Sequence, residues 1–319
     1  MITPHKFPES LSDACRYFAD PDRAFSFLAQ LRWPEGTICV HCKADKPIFL
    51  KTRRIWKCRE CRKQFSVKVG TIFEDSALGL DKWLPALWLI ANCKNGVSSY
   101  EVARALKVTQ KTAWFMLHRI RTAMRAKSFG KWEGGEFEVD ESFIGGKAGN
   151  MHKGKRERVQ QHAQTMKAAV VGILRRGPNG TSRVRAVVTP KVTKKALQKY
   201  VRSQVKAGSS LYTDAFLSYK GLGSDYKHST IDHGVAYVRG ETHTQGLENF
   251  WSLLKRAIKG TYVSVDPFHL GRYVDAQVFR FNARKANDGQ RFMAVVKGII
   301  GRKLTYKRLI GADIAPATT

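Results

Sequence analysis

Over residues 10–32 the apolar side chains Phe18, Ala24, Phe25, Phe27, Leu28 and Leu31 recur at helical spacing, and Pro34 with Gly36 close the run. Residues 37–75 lose that period. Short alternating runs, Arg54–Lys57 and Gln64–Val69, each stand beside a cysteine pair and predict a small hairpin module. Helical spacing returns from Leu80 to Met124. Inside it, Ser98 and Glu101 have capping-box spacing at the start of a short helix ending near Lys107, and Thr109 caps a second helix. Ala103, Leu106, Val108, Ala113, Met116, Leu117 and Ile120 would pack the pair together and leave Gln110, Lys111 and Arg119 outside. That is the pattern of a helix-turn-helix whose second helix enters the major groove of DNA.

Arg125–Gly135 is basic and glycine-rich and reads as a linker or hinge. Strand and helix patterns then alternate: strands over Glu136–Phe143, Lys167–Arg175 and Arg183–Thr189, a helix over Thr193–Val205, and a strand over Ser209–Thr213. Such an order predicts a mixed α/β sheet. The polar stretch Gly145–Thr165, with Lys147, Lys153, Lys155, Arg156 and Arg158, reads as an exposed loop between the first two strands. The expected organisation is a helical entry segment (1–36), a cysteine module (37–75), the paired helices (80–125), a linker (126–135), an α/β domain (136–290) and a basic C-terminal segment (291–319).

Charge narrows the partner. The chain of 319 residues carries 56 Lys and Arg against 26 acidic residues, a formal net charge of +30, with the basic residues spread along its length. Each phosphate neutralised by such residues releases counterions, so nucleic acid is the expected polyanion. The longest apolar stretch, Trp83–Cys93, is too short to span a bilayer, and Met1–Glu9 lacks an apolar signal core. A soluble cytoplasmic protein without a membrane partner is the expectation.

Four of the six cysteines form two pairs, Cys39-Val-His-Cys42 and Cys58-Arg-Glu-Cys61, separated by fifteen residues. Two residues between thiolates let both bind one ion from a tight turn, and two such knuckles complete the tetrahedral sulfur shell preferred by zinc. One structural Zn2+ is expected, with His41 a surface residue. The basic residues around the pairs, Arg62 and Lys63 among them, favour DNA as what this ribbon touches. Cys15 and Cys93 read as inert apolar packing.

Acidic residues are scarce, so those at strand and helix ends stand out. In Phe137-Glu138-Val139-Asp140-Glu141, alternation puts Phe137 and Val139 on one face and Glu138 and Asp140 on the other. Asp214 ends an apolar strand, Leu211-Tyr212-Thr213-Asp214, where sites gather in an α/β sheet. After thirty-three intervening residues Glu248 begins an amphipathic helix, Gly246–Arg256, with Lys255 two turns further on the same face. Three carboxylates from separate elements suit two Mg2+ or Mn2+ ions, the metal arrangement of phosphoryl transfer, and Lys255 could grip a phosphate. Phe250 and Trp251 read as packing residues of the helix that covers the sheet.

This order resembles the DDE transposase and integrase superfamily. Thr242–Arg256, with Val139-Asp140-Glu141-Ser142 and Tyr212-Thr213-Asp214, is similar to bacterial insertion-sequence family 1595, whose members also carry an N-terminal zinc ribbon and a helix-turn-helix. The similarity runs from about Ser10 to Lys285. It implies a ribonuclease-H-like catalytic domain, binding of terminal inverted repeats, strand cleavage and joining of 3′-hydroxyl ends to target DNA, with Asp140, Asp214 and Glu248 catalytic. Some members have Asn at the third position, which keeps Asn249 as the alternative to Glu248. The likeness also suggests that His243 and Gln245 face the site, where His243 could help a phosphate or leaving group or simply belong to the helix cap. Two DNA ends in one synaptic complex call for a dimer or higher assembly. Two other functions fit the residues: a zinc-ribbon regulator without catalysis, and a nuclease of the same fold that cuts without joining.

Overall fold

The computed structural model describes residues 7–126, 130–145, 167–189, 192–214, 216–231 and 244–312. They fall into two units, Met1–Arg125 with Ala286–Thr319, and Ala126–Lys285.

In the first unit the apolar run over 10–32 makes two helices, α1 (Leu11–Ala19) and α2 (Pro21–Arg32). The break is chemical. Asp20 caps α2 by accepting from the amides of Asp22 and Arg23, and Pro21, which has no amide hydrogen to satisfy, occupies the first helical position. Ala14 and Phe18 take the buried face of α1, so Cys15 lies on its exposed side rather than in packing. Three short antiparallel strands, β1 (Ile48–Leu50), β2 (Ile55–Lys57) and β3 (Gln64–Ser66), form the ribbon. Helix α3 (Leu80–Asn92) is buried along most of its length and forms the centre of this unit. The paired helices α4 (Ser99–Leu106) and α5 (Gln110–Met124) have the caps expected of them, a Ser98–Glu101 capping box and Thr109.

The C-terminal residues return to this unit. Helix α9 (Asp288–Lys297) packs on α3 and α5, with the Phe292 ring 5.6 Å from Phe18 and 5.1 Å from Trp88. The short α10 (Tyr306–Leu309) also packs on α5.

The second unit is a mixed five-stranded sheet of order β6-β5-β4-β7-β8. Its strands are β4 (Glu136–Ile144), β5 (Ala168–Arg175), β6 (Arg183–Thr189), β7 (Ser210–Asp214) and β8 (Lys227–Ile231). β4 pairs antiparallel with β5 and parallel with β7, which puts the strand bearing Asp140 at the centre. β8, at the sheet edge, escaped the sequence pattern because Lys-His-Ser-Thr-Ile shows no apolar alternation, as suits an edge strand. Alternation sorts the faces. Phe137, Val139, Val171, Ile173 and Leu211 pack with Leu197 and Val201 of α6 (Lys194–Gln204). The opposite face, Val170, Leu174 and Ile144, packs with Leu247, Phe250, Trp251 and Leu254 of α7 (Gln245–Arg256) and with Leu270 and Val274 of α8 (Pro267–Asn282). Trp132, within the stretch read as a linker, is pinned here: its amide donates to the Gln204 carbonyl at 2.8 Å and its ring carries the Arg185 guanidinium at 4.0 Å.

Candidate active site and metal centre

The four cysteines Cys39, Cys42, Cys58 and Cys61 converge, with all four sulfurs within 4.8 Å of one another. Cys39 and Cys61 stand 3.7 Å apart and Cys42 and Cys58 3.5 Å apart. A tetrahedron with zinc–sulfur bonds of about 2.3 Å has edges of about 3.8 Å, so the cluster fits one Zn2+. The knuckle turns are tied by backbone: the Cys39 amide takes the Ala44 carbonyl and the Cys58 amide the Lys63 carbonyl. His41 is exposed, with its ring edge-on to Phe65 at 6.1 Å. Arg62 and Lys63 lie exposed on the second turn.

The carboxylates come together through the sheet. The parallel register pairs Val139 with Thr213, so the next step along it sets Asp140, at the middle of β4, beside Asp214 at the end of β7, on the face covered by α7. Asp140 Oδ2 accepts from Trp251 Nε1 at 2.9 Å and its Oδ1 from the Glu141 amide at 2.8 Å. Asp214 Oδ1 accepts from the Phe216 amide at 3.2 Å. Glu248 lies exposed in the first turn of α7 while Leu247 and Trp251 turn into the core. Burial, and then the charges of Asp214 and Glu248, push the Asp140 carboxyl up to about 6 against the two hydrogen bonds that lower it. Asp140 and Asp214 stand on adjacent strands of the face that α7 covers, and Glu248 opens that helix. Such an all-oxygen donor set suits a hard divalent cation such as Mg2+.

Two side chains beside these acids went unnoticed in the sequence. Trp251, read as packing alone, is also the hydrogen-bond donor that orients Asp140; Gly172, opposite Asp140 on β5, makes room for its ring, because a Cβ there would stand 2.8 Å from it. Glu141, one residue along and on the opposite face, accepts from the buried Tyr219 hydroxyl. Burial, with Asp214 and Asp140, pushes its carboxyl up to about 7. The only hint was the adjacency of two acids in an acid-poor chain.

Asn249 is exposed on α7 next to Glu248, and Lys255 is exposed near the end of the helix. His243 and the Lys- and Arg-rich stretch after Gly145 lie outside the described residues. Of the side chains expected on the outer face of α5, Lys111 is exposed, whereas Gln110 is half-buried and donates to Ser99 Oγ at 2.8 Å. Arg119 is a correction. It is 4% exposed, donates to the Leu304 carbonyl at 3.1 Å and covers the Phe115 ring, because the C-terminal segment closes over that face of α5. It is not placed to meet DNA.

Comparison with known proteins places both stretches among transposase domains. Residues 20–64 match the transposase zinc-ribbon domain and residues 134–282 the ISXO2-like transposase domain. The chain is similar to a protein in transposable element ISH50 of Halobacterium salinarum, 25% identical over 253 residues that cover 75% of this chain and 83% of that one. It is also similar to a transposase-like protein of Haemophilus influenzae, 32% identical over 101 residues that cover 31% of this chain and 81% of that one. The chain thus belongs to the transposases of insertion-sequence family 1595, with a zinc-ribbon domain ahead of the transposase domain. Among the described residues, no helix is long and apolar enough to cross a membrane.

Proposed function

We propose that this protein binds the terminal inverted repeats of an insertion sequence, cleaves DNA strands at the element's ends and joins the freed 3′-hydroxyls to target DNA. What supports this reading is the placement of three acids on one side of the sheet: Asp140 beside Asp214 on adjacent strands, and Glu248 in the first turn of the helix packed on that face. The mixed sheet with Asp140 on its central strand supports a ribonuclease-H-like catalytic domain. Asp140, Asp214 and Glu248 would hold two Mg2+ or Mn2+ ions, which when bound activate the attacking hydroxyl and stabilise the leaving oxygen. Trp251 holds Asp140 in one orientation, so the first carboxylate need not be ordered when DNA arrives. Glu248 rather than Asn249 is assigned the third position, since a carboxylate is the harder oxygen donor for a divalent cation.

Lys255, exposed on the same helix, would meet a phosphate of the bound strand. The paired helices α4 and α5 would act as a helix-turn-helix, with Lys111 exposed at the start of the second helix. The ribbon would add Arg62 and Lys63 as non-specific phosphate contacts. Two ends in one complex would bring two copies together.

The test is incubation with labelled end DNA, target DNA and Mg2+, comparing wild type with Asp140→Asn, Asp214→Asn and Glu248→Gln. Wild type should cleave and join and the three variants should do neither while still binding ends. Cleavage without joining by wild type would support a nuclease. Wild type that binds and never cleaves would support a regulator, and a fully active Glu248→Gln would move the third position elsewhere.

A further inference from the structure

The first turn of helix α7 is met from across the fold. Thr244 occupies the N-cap position yet makes no capping hydrogen bond. The Leu247 amide, which a cap would take, donates instead to Glu138 Oε2 at 3.0 Å, across the fold on β4. A carboxylate is well suited there, since the first turn of a helix presents free amides and a partial positive charge. Glu138 is 1% exposed, and its charge is compensated: Oε1 accepts from Arg176 Nε at 3.0 Å, while Arg176 also reaches Glu136 at 3.6 Å and lies over the Tyr212 ring at 4.2 Å. The approach is close. A Cβ on Gly246 would stand 2.8 Å from Leu174 Cδ1 and 2.9 Å from Glu138 Oε2, so a larger residue there would push one of these side-chain ends aside.

One turn further along, Trp251 donates to Asp140. The two acids that β4 turns toward α7 thus each grip the helix, one just before Glu248 and one just after it. We infer that Glu138 is a positioning residue which, by accepting from the first-turn amide of Leu247, fixes the seat of α7 on β4 and hence where Glu248 stands relative to Asp140 and Asp214. This rests on the reading of those three acids as the divalent-ion site. Glu138 meets Leu247 and Arg176 and is not assigned to the ion.

The test is Mn2+ binding to the DNA-free protein, measured by water-proton relaxation, with end cleavage alongside. Glu138→Ala should bind Mn2+ at least tenfold more weakly. Glu138→Gln, which keeps an oxygen for the Leu247 amide but lacks the charge, should stay within about threefold of wild type. Equal weakening in both variants would mean that only charge matters and would overturn the positioning role, as would wild-type affinity in a folded Glu138→Ala. Should Glu138→Ala fail to fold, Gly246→Ala asks the same question with Glu138 and Arg176 intact: the same tenfold loss is expected, and wild-type affinity would overturn the proposal. Glu248→Gln separates the two readings. If it binds Mn2+ as wild type does, the three-acid site itself fails; if it weakens and Glu138→Ala does not, only the positioning role fails.

Discussion

The cysteine cluster and the proposed carboxylate site both gather negative charge, but by opposite means. The four thiols come from two tight turns of one small ribbon, and the ion itself is the expected centre of that module, which has little core beyond a few rings such as Trp33, Trp56 and Phe65. The carboxylates come from β4, β7 and α7 of a sheet that packs apolar layers on both faces without them. Zinc should therefore be part of folding in the ribbon, and the divalent ions part of chemistry alone in the sheet domain.

The largest effect expected from breaking this contrast is at the ribbon. Cys58→Ser should abolish zinc binding, measured as metal content, and unfold the ribbon, seen as loss of the near-ultraviolet signal of the Trp33–Trp56–Phe65 cluster; structural zinc contributes on the order of 10 kcal/mol. Mn2+ binding by the carboxylates should survive. Loss of both together would show that the two sites are not independent.

Asp140→Asn should do the reverse. End cleavage should fall about a thousandfold or more, some 4 kcal/mol of activation free energy, while zinc content and circular dichroism stay as in wild type. A variant with a tenth of wild-type activity would take Asp140 out of the chemistry.

The pH dependence of the metal-free protein sharpens the same point. Asp140 is raised from the ordinary carboxylate value to about 6, so its neutral form is favoured by folding. That contribution is complete at pH below the unfolded value and is lost as pH rises through about 6. The metal-free thermal midpoint should fall between about pH 4 and 7, and Asp140→Asn should reduce the fall, leaving the part that Glu141, raised to about 7, contributes. Added Mg2+ should offset it increasingly as pH rises, since the ion needs the ionised carboxylate. A midpoint that climbs over this range in both proteins would contradict the assignment.

The smallest effect is at Trp251. Trp251→Phe keeps an aromatic ring but removes the donor to Asp140, and should cost about 1 to 2 kcal/mol of stability at neutral pH, measured by denaturant unfolding. Cleavage should fall by more than that folding loss explains, because Asp140 loses its fixed orientation. Unchanged cleavage would make Trp251 a packing residue only.

The two sites were unequally legible for the same reason. Both cysteine knuckles are local, so spacing alone identified them, and the helix caps at Ser98 and Thr109 are local too. Asp140 and Asp214 could be picked out by their places in strand patterns, and Glu248 by its place at a helix start. What escaped depends on partners distant in the chain. The Trp251 hydrogen bond to Asp140, the Glu138 link to Leu247 and the Tyr219 link to Glu141 each join segments that no periodicity relates. Arg119 failed as an exposed residue because Leu304 and its neighbours return to cover it. Cys15 failed as packing because Ala14 and Phe18 already fill the buried face of a short helix.

The central claim, that β4, β7 and α7 present one divalent-ion site, is tested most directly by loading the zinc-bound protein with Fe2+ and cutting the backbone with peroxide and ascorbate. The account predicts cuts clustered at residues 140, 214 and 248, suppressed by excess Mg2+ and absent in Asp140→Asn. Cuts elsewhere, or a pattern indifferent to Mg2+ and to Asp140→Asn, would contradict it.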